Sequence, residues 1–443
     1  MHIETHGCAF NASDSEVMAG LLERAGHVIA DSPDAADAVI VNSCTVKDRT
    51  YLDFRRRVRE LSAAGAGRGP VLILAGCVPR VPEQAREFAA HPQVGPDNIT
   101  SIVEVVERAL AGGRPALTRR AAAAPRLLLP KRRRNPAVEI VPISRGCLGS
   151  CTFCQTVLAR GRLHSFPEED ILAQIRSAVD EGVRMVWLTS QDCGAYGADT
   201  GTSLPALMRR VAALPGDFVA RVGMANPDHV GEWAEEFAEA LAHPRFFRFA
   251  HVPVQSGSDT VLRDMARPYT ADAFRRVAEA LRARMPDVTL ATDLIVGYPT
   301  ETEADFGDTL RLVRDTRPPV INRSRFSPRP GTRAARLQPP PSAVVSARSR
   351  ELYALARRVT ARELEALAGR TVRAVAESNP RPDVTMFRTR AYVPVIVRGR
   401  HAPGSALDIR IRGVDGFHAV GDAAVAAGPA NSGSERAAWP QRP

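Results

Sequence analysis

The segment that decides the fold is VEIVPISRGCLGSCTFC, residues 138–154. It opens with an apolar run that predicts a buried strand and continues directly into a loop carrying Cys147, Cys151 and Cys154. Three thiolates at this spacing can bind one iron–sulfur cluster and leave one iron open to a small molecule. A structural zinc site needs four protein ligands, and His164 is ten residues further on. An open cluster is favoured, and a chance match or partial zinc site is the alternative.

Strand-like and helix-like segments alternate from this loop to about residue 335. The predicted strands after the first are 185–190, 218–224, 247–254, 288–297 and 320–326. Six β/α units are fewer than the eight of a complete barrel. The pattern predicts an incomplete (β/α)6 barrel, and an open six-stranded sheet fits the periodicity nearly as well. In a barrel the cysteine loop would lie at the carboxyl end of the first strand, where barrel enzymes have their active sites.

The first 112 residues predict a separate small α/β domain of the doubly wound kind. Its predicted strands and helices alternate in the order 1–5, 14–25, 37–42, 47–63 and 71–76. Cys8, Cys44 and Cys77 each follow directly after one of these strands. Because the carboxyl ends of parallel strands share one edge of a sheet, the three thiols are expected to converge into a second open cluster site. Three buried structural cysteines are the alternative.

Basic segments flank the predicted barrel, which is expected to occupy residues 138–365. Residues 113–137 form a linker with seven positive charges and no acid between Arg119 and Arg134, so it is either solvated or a strap that contacts phosphates. Residues 366–425 predict the short strands of a small all-β barrel, with nine Arg against five Asp and Glu. Residues 426–443 are expected to be a disordered tail.

Composition limits the class of protein only broadly. The chain has 443 residues and a net charge of +10, carried almost entirely by arginine. This charge attracts polyanions, but it does not by itself separate a nucleic-acid-binding protein from a basic enzyme. The absence of a long apolar run and of a signal-peptide pattern predicts a cytoplasmic protein without membrane association. Seven cysteines in such a protein favour metal or catalytic use over disulfides.

These features together resemble the radical S-adenosylmethionine (SAM) methylthiotransferase family. The resemblance rests on the two three-cysteine sets in this order and on Phe153, which occupies the aromatic position before the third cysteine of the loop. Further matching segments are HVPVQSGSDTVLRDMARPYT (251–270), TDLIVGYPTETEADF (292–306) and FSPRPGTRA (326–334). The resemblance covers about residues 1–425. It implies an auxiliary [4Fe–4S] cluster in the first domain, a second cluster that binds SAM in the barrel, and a C-terminal TRAM module that binds RNA.

Four segments resemble the archaeal and eukaryotic branch that modifies N6-threonylcarbamoyladenosine (t6A) at position 37 of tRNA. They are NSCTVKD (42–48), LPKRRRNP (129–136), CTFCQTVLARG (151–161) and TSQDCGAYG (189–197). The implied reaction inserts a methylthio group at C2 of the adenine, consumes two SAM and needs an electron donor such as ferredoxin or flavodoxin. Isopentenyladenosine-37 or a ribosomal-protein aspartate is the alternative substrate. A non-catalytic, metal-containing RNA-binding protein is the more remote alternative.

The resemblance also implies roles for individual residues, with the six clustered cysteines as cluster ligands. The candidates for SAM binding are Phe153, Ser190, Gln191, Asp192, Gln255, Ser256, Gly297 and Pro299. The candidates for substrate binding are Arg160 and Arg162 near the carboxylate of t6A, and Arg370, Arg373, Arg398 and Arg400 on the RNA backbone. Cys193 belongs to neither set and is expected to be a small buried residue.

Overall fold

The computed structural model describes residues 1–45, 48–64, 69–120 and 126–424. These residues form a five-stranded sheet, a parallel barrel and a closed antiparallel-rich barrel, in that order along the chain. No helix in these ranges is long and apolar enough to cross a membrane. The tail predicted for residues 426–443 lies outside the described residues.

The first sheet has five parallel strands that follow one another in chain order. Its strands are β1 His2–His6, β2 Ala38–Ser43, β3 Val71–Gly76, β4 Gln93–Val94 and β5 Ala116–Leu117. Its helices are α1 Ala9–Arg24, α2 Asp48–Ala64, α3 Pro82–Glu87 and α4 Ile102–Leu110. Side chains alternate along β2, so Ala38 and Ile40 join the core with α1 and α4, whereas Val39 and Val41 pack with Phe54 of α2. Helices therefore cover both faces, which confirms the predicted α/β domain.

The central unit is an open parallel barrel. Its strands are β6 Val138–Pro142, β7 Ser144–Arg145, β8 His164–Ser165, β9 Met185–Thr189, β10 Val219–Val222, β11 Phe249–His251, β12 Thr289–Val296 and β13 Val320–Arg325. The short β7 and β8 form an antiparallel pair, and the other six strands are parallel in chain order, with a bridge from Ala220 to Phe246 joining the two halves. Ile140 of β6 and Ala291 of β12 share one core cluster, so the sheet curves around a common interior. The incomplete (β/α)6 barrel is confirmed.

Helices cover the outside of this barrel. They are α6 Glu168–Asp180, α7 Leu204–Ala212, α8 Pro227–Val230, α9 Ala234–Ala242, α10 Asp259–Asp264, α11 Ala271–Arg284, α12 Glu303–Thr316 and α13 Ser342–Glu365. The short helix α5 Thr156–Arg160 follows the cysteine loop and packs against the first domain instead. Helix α13 returns along the barrel. Val345 near its start packs against Gly297 after β12, and the Thr360 hydroxyl near its end donates to Pro319 O before β13, at 2.7 Å. Helix α13 therefore runs from the carboxyl end of the strands, the barrel mouth, towards their amino ends.

The C-terminal unit is a small closed barrel around Phe387. Its strands are β14 Thr371–Arg381, β15 Val384–Thr389, β16 Pro394–Arg398, β17 Ala406–Asp415 and β18 His418–Ala423. The strand order β14-β15-β16-β18-β17 is compatible with a TRAM module. Tyr392 of this unit packs against Phe247 and Phe249, with ring centroids 4.8 and 5.0 Å apart, at the amino end of β11. The C-terminal barrel thus closes the end of the parallel barrel opposite its mouth.

Over residues 126–133 the basic linker is neither a solvated segment nor a strap with free cations for phosphates. The Arg126 guanidinium pairs with Asp14 at 2.7 Å, and both side chains are 3% exposed. Lys131 pairs with Glu139 at 2.6 Å, and Glu139 is fully buried. A buried charge requires a partner because desolvation is costly. These cations therefore neutralise protein carboxylates and hold the linker between the first domain and the barrel.

Gly20 of α1 lies directly against this linker, so a substitution at Gly20 tests how closely the two segments pack. A Cβ at position 20 would lie 2.5 Å from Lys131 N and from Pro130 O, both of which are backbone atoms. Gly20→Ala is therefore expected to lower the free energy of unfolding by about 1–3 kcal/mol through overpacking, although alanine is the better helix former.

The matched control is Gly307→Ala on α12, where the nearest atom would be the flexible Arg311 side chain at 3.7 Å. This change should raise the free energy of unfolding by about 0.5–1 kcal/mol. Urea unfolding of both variants measures whether each change lowers or raises the free energy of unfolding. A Gly20→Ala protein as stable as Gly307→Ala would contradict the described packing.

Candidate metal centres

Three cysteines of the first domain meet at one edge of its sheet. The ladder of backbone hydrogen bonds continues past the strand ends, with Cys44 N donating to His6 O and Cys77 N donating to Ser43 O, each at 2.8 Å. These bonds hold the loops after β1, β2 and β3 side by side. Cys8 begins α1 there, since its carbonyl accepts from Ala12 N at 3.0 Å. The convergence predicted from the strand order is observed.

The three thiols form one hydrogen-bonded group. Cys44 hydrogen-bonds both Cys8 and Cys77. This contact, with the nearby charge of Arg160, lowers the pKa of Cys8 to about 7 and that of Cys77 to about 6. The same two contacts raise the pKa of Cys44, which acts as the donor. Sulfur atoms this close, with thiolate character, have the donor chemistry that a soft metal or an iron–sulfur cluster requires.

Arg160 links this group to the barrel. It ends α5, which follows the barrel's cysteine loop, and its Nε donates to Cys77 Sγ at 3.3 Å. Its Nη1 donates to Asp14 at 2.8 Å, and its guanidinium lies 4.5 Å from the Phe10 ring centroid. The residue is 5% exposed, and its Nη2 is buried without a hydrogen bond from the described residues. Sequence reasoning selected Arg160 as a cation but did not predict its contact with Cys77.

The barrel's cysteine loop is closed at its base by the β7–β8 pair. Gly146 has a φ of +75°, and a Cβ there would collide with the Arg162 carbonyl, so glycine permits the close approach of the two loop arms. Cys147 N then donates to Gly161 O at 3.2 Å. Within the loop, a Cβ on Gly149 would lie 3.3 Å from Cys147 Sγ and 3.4 Å from the sulfur of Cys151. Both thiols therefore lie on the same side of the turn.

The thiols of this loop have a different electrostatic environment from those of the first domain. Burial and the charge of Asp192 raise the pKa of Cys147 to about 12, and burial raises that of Cys151. Cys154 Sγ lies 3.0 Å from the Thr156 hydroxyl and accepts from Thr156 N at 3.4 Å. Metal binding would have to displace the protons of Cys147 and Cys151, as is usual for thiolate ligands. The donor set fits a cluster with three protein ligands.

The two cysteine sets lie on adjoining loops. Thr45, directly after Cys44, donates to the Gln155 side chain at 2.5 Å, and Gln155 directly follows Cys154. Ala159 of α5 packs against Cys77 in a small buried cluster. The first domain therefore covers the barrel mouth beside the cysteine loop.

Of the residues predicted after the second barrel strand, Gln191 supports the cysteine loop. Its side-chain oxygen accepts from Gly146 N at 2.7 Å. The Ser190 hydroxyl accepts from Asp192 N at 2.9 Å and so caps its own turn. Asp192 is 1% exposed and accepts from the Asn226 side chain at 2.6 Å. These residues surround the loop, and their contact with SAM stays a prediction.

Gln255 and Ser256 follow the fourth barrel strand. Gln255 has a φ of +69°, which is strained for a residue with a side chain, and its carbonyl accepts from Ile295 N at 2.9 Å. Ser256 is fully buried, and its hydroxyl lies 3.4 Å from that of Thr309 on α12. The structure thus provides Ser256 with a protein partner in a helix that covers the barrel.

Gly297 and Pro299 lie in the turn after β12. Gly297 has a φ of +77° and donates its N–H to Glu301 at 2.8 Å. A Cβ on Gly297 would lie 2.6 Å from Val345, so the close approach that glycine permits here is that of α13. The sequence analysis gave Gly297 and Pro299 as candidates for SAM binding, and that contact stays a prediction.

Comparison with known proteins identifies the family. Residues 141–313 match the profile of the Radical SAM superfamily, and residues 1–94 match that of uncharacterized protein family UPF0004. A probable threonylcarbamoyladenosine tRNA methylthiotransferase of Methanothermobacter thermautotrophicus is 36% identical over 424 residues, 95% of this chain and 99% of that relative. The chain belongs to the radical SAM methylthiotransferase family.

A longer relative agrees with membership in this family, and a solved structure has a similar fold. The threonylcarbamoyladenosine tRNA methylthiotransferase of Drosophila pseudoobscura pseudoobscura is 44% identical over 358 residues, 79% of this chain. The matched region spans only 64% of that relative's length. The radical SAM methyltransferase TsrM of Kitasatospora setae has a similar fold, with a TM-score of 0.55, 15% identity and coverage of 75% of this chain and 74% of that one.

Sequence reasoning missed one cation of this radical SAM barrel. Arg267 lies 5.6 Å from the Phe153 ring centroid and donates to the Asn226 side chain at 3.0 Å. Its charge acts on the Cys151 thiol and opposes the rise in the pKa of that group. The run ARPYT, which contains Arg267, is part of a longer matching segment, but a single arginine carries no signal of the side chains that it will contact.

The predicted substrate arginines of this family member are not brought together. Arg162 lies beside the cysteine loop and donates to Leu148 O at 3.0 Å. In the C-terminal barrel Arg370, Arg398 and Arg400 are exposed, and Arg373 pairs with Asp408 at 3.5 Å. Their roles towards a substrate stay predictions.

Removal of single cysteines tests both metal centres. Radical SAM proteins use [4Fe–4S] clusters, and with one such cluster at each cysteine set the reconstituted protein should hold about eight iron atoms. Cys8→Ala, Cys44→Ala and Cys77→Ala should each lose about four, and Cys147→Ala, Cys151→Ala and Cys154→Ala should lose the other four. Iron and sulfide analysis with electron paramagnetic resonance measures the loss.

The matched control is Cys193→Ala. Cys193 is fully buried beside Ser190, at 3.6 Å from its hydroxyl, and outside both sets, so this change should leave the iron content unchanged. Full iron content in the three first-domain variants would contradict the second centre.

Proposed function

We propose that this protein inserts a methylthio group at C2 of t6A at position 37 of tRNA. The observation that carries the proposal is the pair of three-cysteine sites on adjoining loops, joined through Thr45 and Gln155 and through Arg160 and Cys77. Each site leaves one position of a four-iron cluster without a cysteine. Two open sites on adjoining loops suit a reaction in which a radical source and a sulfur source act on one base. The names of the relatives support the tRNA substrate.

The chemistry explains why the chain needs two centres. The C2–H bond of adenine is not acidic, and no protein side chain can replace its hydrogen with sulfur. When bound, the barrel cluster with SAM supplies the one-electron chemistry that breaks this bond, and the auxiliary cluster supplies the sulfur. The chain's own part is to hold both thiol sets, to orient the base between them and to exclude water.

A substrate with a carboxylate needs a cation beside these two sites. Arg160 and Arg162 remain our candidates, and the Nη2 of Arg160 is the atom that has no protein hydrogen bond among the described residues. A buried guanidinium edge without a partner suits a carboxylate, which accepts charge-assisted hydrogen bonds. We further infer that Arg370, Arg373, Arg398 and Arg400 contact the tRNA backbone. An electron donor such as ferredoxin or flavodoxin and a cytoplasmic location complete the proposal.

Nucleoside mass spectrometry of tRNA tests the proposal directly. The chain is expressed in a host that makes t6A but not its methylthio form. Methylthio-t6A should appear, and it should be absent with Cys147→Ala and with Cys44→Ala, since each removes one of the two centres. Cys193→Ala, which touches neither centre, is the control and should keep the product.

Three other results of these assays would each favour a different substrate or function. Methylthio-isopentenyladenosine without methylthio-t6A would retain the chemistry and overturn the substrate. A protein that cleaves SAM but modifies no tRNA would favour the ribosomal-protein aspartate, which peptide mass spectrometry then detects. Metal content without SAM cleavage would favour the non-catalytic RNA-binding protein.

A further inference from the structure

An exposed aromatic pair joins the parallel barrel to the C-terminal barrel. Tyr353 of α13 is 42% exposed, and Phe417 in the turn between β17 and β18 is 52% exposed. Their ring centroids lie 6.3 Å apart with an interplanar angle of 52°. Within the described ranges these are the only exposed Phe, Tyr or Trp side chains. Two such rings in contact, each half in solvent, form an apolar surface that the fold itself leaves uncovered.

Arginines surround this pair. The Arg323 guanidinium lies 5.1 Å from the Tyr353 ring centroid, and Arg325 follows two residues later on the same exposed side of β13. Arg350 lies three residues before Tyr353 and Arg357 lies four residues after it. Both arginines therefore share the exposed face of α13 with Tyr353.

These cations are available to an anionic partner. None of the four arginines forms an ion pair with a carboxylate of the described residues, in contrast to the linker cations Arg126 and Lys131. Arg323 and Arg325 are held by a neutral group, the Ser349 hydroxyl, at 2.8 and 3.4 Å. Their charge therefore remains uncompensated at the surface.

We propose that Tyr353 and Phe417 form a base-stacking platform for a single-stranded segment of RNA, whose phosphates contact Arg323, Arg325, Arg350 and Arg357. Proteins that bind single strands combine aromatic side chains, on which bases stack, with cations that track the backbone. The four arginines without a carboxylate partner outnumber the exposed acids within two residues of the rings, Glu351 and Asp415, and Asp415 lies 3.8 Å from His418. The charge complementarity therefore favours RNA.

The position of the platform agrees with this assignment, which rests on the proposed function for the identity of the RNA as tRNA. Strand β13 ends at Arg325 beside the barrel mouth, and α13 leads from the mouth past Tyr353 to β17 of the C-terminal barrel. A tRNA with its target base in the mouth and its backbone on the C-terminal barrel can follow this surface from one to the other. The platform would hold nucleotides next to the target base.

Binding of t6A-containing tRNA to the full-length, cluster-loaded protein, measured by fluorescence anisotropy, tests the platform. Tyr353→Ala and Phe417→Ala should each weaken binding about 10-fold, which is the order expected for one lost stacking contact. Tyr353→Phe keeps the ring and should bind like the unchanged protein. Val28→Ala, at a residue of the first domain that is 79% exposed, is the matched surface control.

Salt dependence separates stacking from charge. Arg350→Gln and Arg357→Gln should each reduce the slope of log affinity against log salt concentration by about 0.7, the value for one phosphate contact with a single strand. Tyr353→Ala should weaken binding without changing this slope. Circular dichroism and thermal unfolding of each variant verify that the fold is retained.

The outcomes distinguish this proposal from the function on which it rests. If the unchanged protein binds tRNA and both alanine variants bind equally well, the platform is refuted and the proposed function stands. If Tyr353→Phe binds as weakly as Tyr353→Ala, the hydroxyl is responsible and stacking is overturned. If the unchanged protein does not bind tRNA, the proposed function fails together with the platform.

Discussion

The buried pairing of Asp14 with two arginines is the constraint on which the arrangement of this protein depends. Asp14 lies on α1 of the first domain and binds Arg126 of the linker at 2.7 Å and Arg160 of the barrel at 2.8 Å. All three side chains are at most 4% exposed, and a charge buried this deeply without a partner would cost several kcal/mol. These ion pairs therefore favour one relative position of the first domain, the linker and the barrel, namely the position that brings the three charges together.

This arrangement brings two chemically different cysteine sets to one place. Arg160 contacts both Asp14 and Cys77, so the pairing that positions the domains also places positive charge beside the first-domain thiols. The hydrogen bonds with Cys44, together with this charge, lower the pKa of Cys8 and Cys77. The barrel thiols lie near Asp192 instead, and burial together with that negative charge raises the pKa of Cys147. Two sites with the same number of thiol ligands thus differ in their surrounding charge, which is a main influence on the properties of an iron–sulfur cluster.

Much of the fold could be predicted because its signals are local. The buried strand at 71–76 was predicted with its observed bounds, and the barrel strands were predicted within a few residues of theirs. The first helix was predicted to begin at residue 14, whereas it begins at Ala9, because Cys8 at its start is not a typical capping residue. The two-residue strands β4, β5, β7 and β8 were missed, since such short segments carry no periodicity.

The sequence by itself determined the order of the three units and the convergence of Cys8, Cys44 and Cys77. It could do so because strand and helix periods are local, and because parallel strands end at the same edge. Only the tertiary structure decided the contact of Arg160 with Cys77, the ion pairs of the linker and the meeting of Tyr353 with Phe417. These contacts join segments far apart in the chain, and whether a charge or ring is buried depends on which segment packs against it.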